Sequence, residues 1–523
     1  MSAVAANRDR PPGAARSTSW RIYAALALGS LLLASFSLLY PSTPSYDPWG
    51  WLLWGREIIH LKLDTVGYNS FKPLPVLFTV PFALFGKAQP DLWLVVARAG
   101  AILAVAMAFK LAARITIWFG ADPAGRQGLS RLVAYGPAVL AGSVAALAVL
   151  IASQYIRDAA LGYSECLGAG MVLLAIDLHL DDRARQAFMV GFIPALDRPE
   201  IWAFWGLYGL YLWRRDPGAR KLIVALFALV PCLWFLPSLW GSGHLLGGVT
   251  RALHPRRNSA AFSSCPFCTE MKAAAELTLS RVKVVAVVVA AGAAIAVWRA
   301  LRGRTTDLRA AVRGQARRPT GIVLVLAVMA IIWFIEIAAM TQYGFSGNQR
   351  YLIVGGALLV VLGGVGWGLA AWRLGELLAR WVSPVTGAAL AVVLVALAFL
   401  LAPNWVGSNF SLGKLNRAMR YQAELRADLS TIIDRAGGAK KIVACGTVRT
   451  EDFQKPMVAW YLGVKTVEAN DARLRKVVPA SKQPNVILQT RDTGTAGLRP
   501  FIPTNVVYTE LRQRTFRLYE HCR

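Results

Sequence analysis

Apolar residues along this chain gather in long uncharged runs instead of alternating with polar ones. Residues 23–39, 92–108, 132–151, 222–239, 282–297, 321–340, 352–371 and 386–402 carry few or no charges. Each run is close to the roughly 20 residues a helix needs to cross about 30 Å of hydrocarbon. No water is present there to satisfy the backbone, so these runs are expected to be helices. A further segment opens at Ser164 and Glu165. Between Arg185 and Arg214, about 28 residues are interrupted by Asp197, Arg198, Pro199 and Glu200. Two full crossings would need roughly 40 residues, so this stretch predicts a pair of half-length helices that enter together and turn inside the membrane. Charged residues at such depth usually face a cavity or each other. The pattern as a whole predicts a multi-pass α-helical membrane protein with about eleven membrane-spanning segments.

The polar remainder divides the chain into a cytoplasmic N-terminal tail (1–20), a transmembrane domain (21–402) and an extracytoplasmic domain (403–523). In the last of these, a helix is expected around 415–435, a strand at 441–446, a helix at 453–462 and strands at 485–490 and 505–509. That alternation reads as a small α/β domain. The first outer loop, 41–91, carries Tyr46, Trp49, Trp51 and Trp54. Such amphipathic rings suit helices lying on the bilayer surface.

Composition agrees with the pattern: 56% of the 523 residues are hydrophobic and 16% charged. The net charge of +28 raises nucleic acid as a partner, but its distribution excludes that reading. Arg and Lys sit in short loops between apolar runs and in the tail, not on one face of a soluble fold. The loops holding Arg114, Arg126 and Arg131, then Arg183 and Arg185, then Arg214, Arg215, Arg220 and Lys221, then residues 299–318, then Arg373 and Arg380 fall on the side of Arg8, Arg10 and Arg16. This places the N-terminus in the cytoplasm and the chain in a plasma (inner) membrane. The first run suits an uncleaved signal anchor.

A second outer region, 241–281, is basic against the positive-inside trend, with His244, Arg251, His254, Arg256, Arg257 and Lys272. An anionic ligand or lipid headgroups would each account for it. Cys265 and Cys268 form a CxxC there, and Cys445 and Cys522 lie in the tail. Each pair can oxidise in that compartment. For the CxxC, a local disulfide, free thiols or a metal site with His254 are the alternatives, and one CxxC alone is weak evidence for zinc.

No glycine-rich phosphate loop, HExxH or GxSxG elbow occurs in a usable context. What remains is a set of polar residues at the outer ends of membrane helices: Asp47, Arg157, Asp158, Glu165 and Arg350. A first membrane helix followed at once by an aspartate in a long aromatic outer loop resembles the polytopic lipid-linked-sugar glycosyltransferases of the GT-C fold. So do Ser164 and Glu165 opening the fourth segment, the short hairpin with Arg198, Pro199 and Glu200, and Arg350 and Tyr351 at the mouth of a late helix. In arrangement the chain is most similar to the branch of protein O-mannosyltransferases and the aminoarabinose transferase, over about residues 20–402. The resemblance implies transfer of a sugar from a polyprenyl-phosphate donor to an extracytoplasmic glycan, lipid or protein, by inverting displacement, with membrane lipid as surroundings. It implies Asp47 as base, where Asp47 and Pro48 also suit a helix N-cap and first position. Glu165 and Asp158 become acceptor or second acidic residues. Arg350, Arg251, Arg256, Arg257 and Lys72 are candidates for the donor phosphate, and Arg198 and Glu200 mark the membrane hairpin. Pro48 stands where many members carry a second acid, which leaves a divalent metal cofactor open. A lipid or glycolipid transporter would need buried charges too, though no internal repeat is visible. An inactive scaffold that binds envelope glycans is the other alternative.

Overall fold

The computed structural model describes residues 20–66, 71–120, 133–152, 154–302, 314–315, 318–404, 410–471, 484–490 and 507–522. Arg8, Arg10, Arg16, Arg126, Arg131, Asn505 and most of 299–318 lie outside the described residues. The bundle opens with α1 (Trp20–Phe36). Next come two helices of the first loop, α2 (Tyr46–Ile59) and α3 (Pro73–Phe82), and then the long α4 (Gln89–Trp118). The chain passes from α3 to α4 through Gly86, whose φ of 54° and ψ of −118° are open to glycine and costly for other residues.

Then follow α5 (Gly136–Leu150), α6 (Tyr155–Ala160), α7 (Glu165–Leu180), α8 (Ala184–Ala195), α9 (Ile201–Arg215), α10 (Arg220–Ser242), α11 (Gly247–Ala252), α12 (Pro266–Glu276), α13 (Ser280–Leu301), α14 (Pro319–Gln342), α15 (Ile353–Leu378) and α16 (Pro384–Leu401). Seven helices among the described residues are long and apolar enough to cross a membrane, so the chain is an integral membrane protein. The other crossings expected from the sequence fall on shorter helices. At 1.5 Å per residue, α7 reaches about 24 Å, α8 about 18 Å and α9 about 22 Å. The pair α8 and α9 forms the expected hairpin, turning at 196–200.

At the centre of the bundle lies α15, whose glycines let its neighbours approach closely. A Cβ on Gly368 would lie 2.7 Å from the Pro137 carbonyl oxygen, and one on Gly364 would run into the backbone of α5 at Ala141. In lipid, where apolar burial does not drive association, such close backbone packing is what holds helices together. The helix is therefore a fixed axis for whatever stands at its head.

The tail begins with α17 (Leu412–Arg435) and α18 (Ala439–Cys445), and α19 (Lys455–Leu462) follows the first strand. Strands β1 (Val448–Thr450), β2 (Ala469–Asp471), β3 (Val486–Thr490), β4 (Thr509–Arg512) and β5 (Phe516–Glu520) form one sheet in the order β2-β1-β3-β5-β4. β1 pairs parallel with β2 and β3, and β5 pairs antiparallel with β3 and β4. The segment expected as a strand at 441–446 is the last part of α18 instead. Ile442 is buried and Val443 exposed, while Cys445, at helical spacing from Ile442, reaches Cys522. Gly446, at φ 133°, ends the helix and delays the strand to Val448. Of the segment expected as a strand at 505–509, residues 505 and 506 lie outside the described residues, and β4 begins at Thr509.

Two disulfides are present, Cys265–Cys268 and Cys445–Cys522. The first occupies the sulfurs that a zinc site with His254 would use. The second ties the end of α18 to the chain 77 residues later. Constraining so long a segment in the unfolded state is worth about 4 kcal/mol. Cys445→Ser is accordingly expected to lower the thermal midpoint of the tail domain, read by protease protection of residues 412–522 in the lipid-embedded protein.

The sheet domain sits on the first loop. Trp49, Trp51 and Trp54 share a buried core with Phe71 and Trp93 of the bundle side and with Met419, Leu425, Met457 and Val458 of the tail. These tryptophans were expected at the membrane surface, yet none is more than 2% exposed. Trp51 packs on Trp93 and Trp54 on Phe71, while Trp49 packs on Trp460 and Tyr461 of the tail, so α2 is enclosed between the bundle and the tail domain.

Candidate functional site

Asp47 does not cap its helix. Ser45 is the N-cap of α2 and Asp47 falls in the first turn, with Pro48 behind it. Ser45 is fixed from both sides: its amide donates to the Leu161 carbonyl at 2.9 Å and its Oγ accepts from the Tyr163 hydroxyl at 3.1 Å. The Asp47 carboxylate is thereby aimed at the head of α15, where Arg350 Nη2 donates to Oδ2 at 2.5 Å.

Arg350 also binds the head of α7. Its Nε donates to Glu165 Oε1 at 3.1 Å. The same oxygen accepts from Lys72 Nζ at 3.0 Å and faces Arg198 Nη1 at 3.6 Å. Lys72 precedes α3, and its ammonium is 3.6 Å from Asp197. In the hairpin turn Arg198 Nη2 donates to Glu200 Oε1 at 2.5 Å. Aromatic rings line the cations: Arg198 lies 3.5 Å from the Tyr351 ring centre, Arg350 4.3 Å from that of Tyr163, and Lys72 5.4 Å from that of Trp51. Carboxylates and cations therefore alternate across elements that start in five places along the chain. Burying charges costs free energy that only such mutual pairing and hydrogen bonding offset.

The two helices of the hairpin are only about 18 and 22 Å long, and their turn meets the starts of α7 and α15 through Arg198. Glu165 Oε2, Glu200 Oε2 and Arg198 Nε are buried and have no hydrogen-bond partner within the protein. Buried polar groups are nearly always satisfied, so this cluster has hydrogen-bonding capacity left for a polar ligand. Among the described residues, no group of three or more His, Cys, Asp or Glu side chains is placed to hold a metal ion.

Of the residues singled out in the sequence, Asp47, Glu165, Arg350, Lys72, Arg198 and Glu200 converge here. Asp158 lies beside them on α6, with its carboxyl pushed up to about 7 by burial, against the opposing pull of Arg350. Arg157 turns away and donates to Gln154. The second outer region contributes elsewhere: Arg251 is half-buried within electrostatic reach of Asp64, Arg256 pairs with Asp452 of the tail at 3.1 Å, and Arg257 is exposed. No signal in the sequence gives a role to Tyr163 or Tyr351, and for Asp197 it offers only a turn whose charges face a cavity or each other. Its pairing with Lys72, 125 positions away, has no sequence signal.

With this geometry, the chain is similar in structure to ArnT from Cupriavidus metallidurans. One crystal structure of that protein, bound to undecaprenyl phosphate, has 14% sequence identity and a TM-score of 0.48, covering 95% of this chain and 97% of the other. A second, in the apo state, has 16% identity and a TM-score of 0.49, covering 96% and 98%. No family model matches the sequence, and no curated protein matches it.

Two buried carboxyls, Glu57 and Asp158, bear on pH. Burial pushes Glu57 of α2 up to about 7, with its hydrogen bond from the Asp64 amide pulling the other way; Asp158 sits at a similar value. A carboxyl raised above its unfolded value near 4 contributes stability below that value and loses it as pH rises through about 7. The difference for Glu57 is about 3 kcal/mol. The melting temperature is therefore expected to fall between pH 5 and pH 8, and Glu57→Gln to flatten that slope. A steeper fall in the variant would contradict burial as the cause.

Proposed function

We propose that this protein is a GT-C-like glycosyltransferase that moves a sugar from a polyprenyl-phosphate donor to an acceptor hydroxyl on the extracytoplasmic side of a plasma membrane. The observation that carries this reading is the buried network in which Asp47, at the head of a loop helix, is held by the same Arg350 that joins Lys72 around Glu165. A carboxylate able to take a proton stands beside cations able to take a phosphate, all of them largely buried. The net basic loops on the opposite side, and disulfides on the side of the tail, support the orientation. The domain limits 1–20, 21–402 and 403–523 and the eleven segments belong to the same proposal.

In the step proposed, the acceptor oxygen attacks the anomeric carbon as the bond from that carbon to the phosphate oxygen breaks. The proton passes from the acceptor hydroxyl to Asp47, and the electron pair leaves with the polyprenyl phosphate. Attack opposite the leaving group inverts the anomeric centre. Arg350 and Lys72 meet the charge that grows on the phosphate, and Glu165 holds both cations in place, with Arg198 paired to Glu165 and Glu200. Because Arg350 is shared with Asp47, the entering phosphate competes for it. Donor binding thus loosens Asp47 from its partner and arms it as a base.

The test is to incubate the purified protein in lipid with a panel of polyprenyl-phosphate sugars and follow free polyprenyl phosphate. Release with one donor, dependent on an acceptor, supports the reading. No release with any donor, from folded protein, overturns it.

A further inference from the structure

Tyr46 precedes Asp47, and its surroundings join three distant parts of the chain. Its ring stacks on Phe453 of the tail, with centres 5.3 Å apart and planes 18° from parallel. The Arg256 guanidinium of the second outer region lies over both rings, 4.4 Å from the centre of Tyr46 and 5.8 Å from that of Phe453. Arg256 is fixed in turn by Asp452. Burial in this stack pushes the Tyr46 hydroxyl up to about 12, against the pull of Arg256. The rest of α2 is held by the same domain: Arg56 donates to the carbonyls of Trp460 and Val464, each at 2.8 Å, and Trp49 packs on Trp460 and Tyr461.

We infer that Tyr46, Arg256, Phe453 and Asp452 form a clamp by which the tail domain sets the rotation of α2, and so the direction of Asp47. This assigns Arg256 a positioning role and rests on the transfer reading above. Successive side chains on a helix point about 100° apart, so whatever fixes Tyr46 also fixes Asp47. A turn of the helix by some 20° would move a carboxylate at its rim by about 2 Å. Misplacement of about 1 Å can cost a hundredfold in rate. Arg256 is 43% exposed and Asp452 25%, and an ion pair so open adds little to global stability. Loss of the clamp should therefore show as misalignment in a folded protein.

The test uses the full chain in lipid, with Arg256→Gln and Phe453→Leu. The turnover number is expected to fall tenfold or more, while KM for the donor stays within twofold and the melting temperature matches wild type. Phe453→Tyr restores turnover. Amide exchange at Asp47 and Trp49 is expected to quicken at least tenfold in both variants, with the start of α7 unchanged. A donor KM raised tenfold by Arg256→Gln, with normal exchange, would make Arg256 a phosphate ligand and overturn the clamp, as would unchanged turnover and exchange. If wild type itself releases no polyprenyl phosphate, the transfer reading fails, and the exchange rates still decide the clamp.

Discussion

Asp47→Asn is expected to lower turnover by about a thousandfold, within the range for loss of a general base. The same change should tighten binding of polyprenyl phosphate, because an amide competes less well than a carboxylate for Arg350. Titration of the variant in nanodiscs, followed by tryptophan fluorescence, separates the two effects. Loss of turnover together with loss of binding would mean that Asp47 shapes the pocket and does not act as base. Unaltered turnover would remove it from the chemistry altogether.

Arg350→Gln is expected to lower both stability and binding. It deletes a cation that Asp47 and Glu165 share, and breaking a buried ion pair from one side costs about 3–5 kcal/mol. Glu165 keeps Lys72 and Arg198, which favours the lower part of that range. The melting temperature should fall by several degrees, and polyprenyl phosphate should bind at least tenfold more weakly. Arg350→Lys retains the charge but cannot donate to two carboxylates in a fixed fork, so it should recover stability better than binding. Full binding in Arg350→Gln would place the phosphate elsewhere.

Much of this arrangement is legible in the sequence, for physical reasons that can be named. A bilayer imposes a length and an apolar composition on each crossing, so the helices fall where the uncharged runs do. The hairpin was readable because its charges at 197–200 interrupt a stretch too short to cross twice. Asp47 and Arg350 stood out because each is a charge beside an apolar run. The pairing between them was not readable, since nothing local to residue 47 refers to residue 350. The tryptophans of α2 misled for a related reason. An amphipathic ring suits a membrane surface and a domain interface equally, and only the docking of the tail decides between them. At 441–446 the apolar run was too short for its period to distinguish strand from helix.

The parts of the site enter the chain far apart: Asp47 near its start, Glu165 and the hairpin later, Arg350 at the head of the glycine-rich axis, and Phe453 beyond the last membrane helix. During synthesis the aspartate is made long before the cations that balance it, and the stack on Tyr46 follows last of all. A nascent or stalled chain therefore holds an acid with no counter-charge and a loop helix with no roof. On the transfer reading proposed above, the site is whole only once the sheet domain has been made and has closed onto α2, so a chain that stops short of that domain is expected to lack activity.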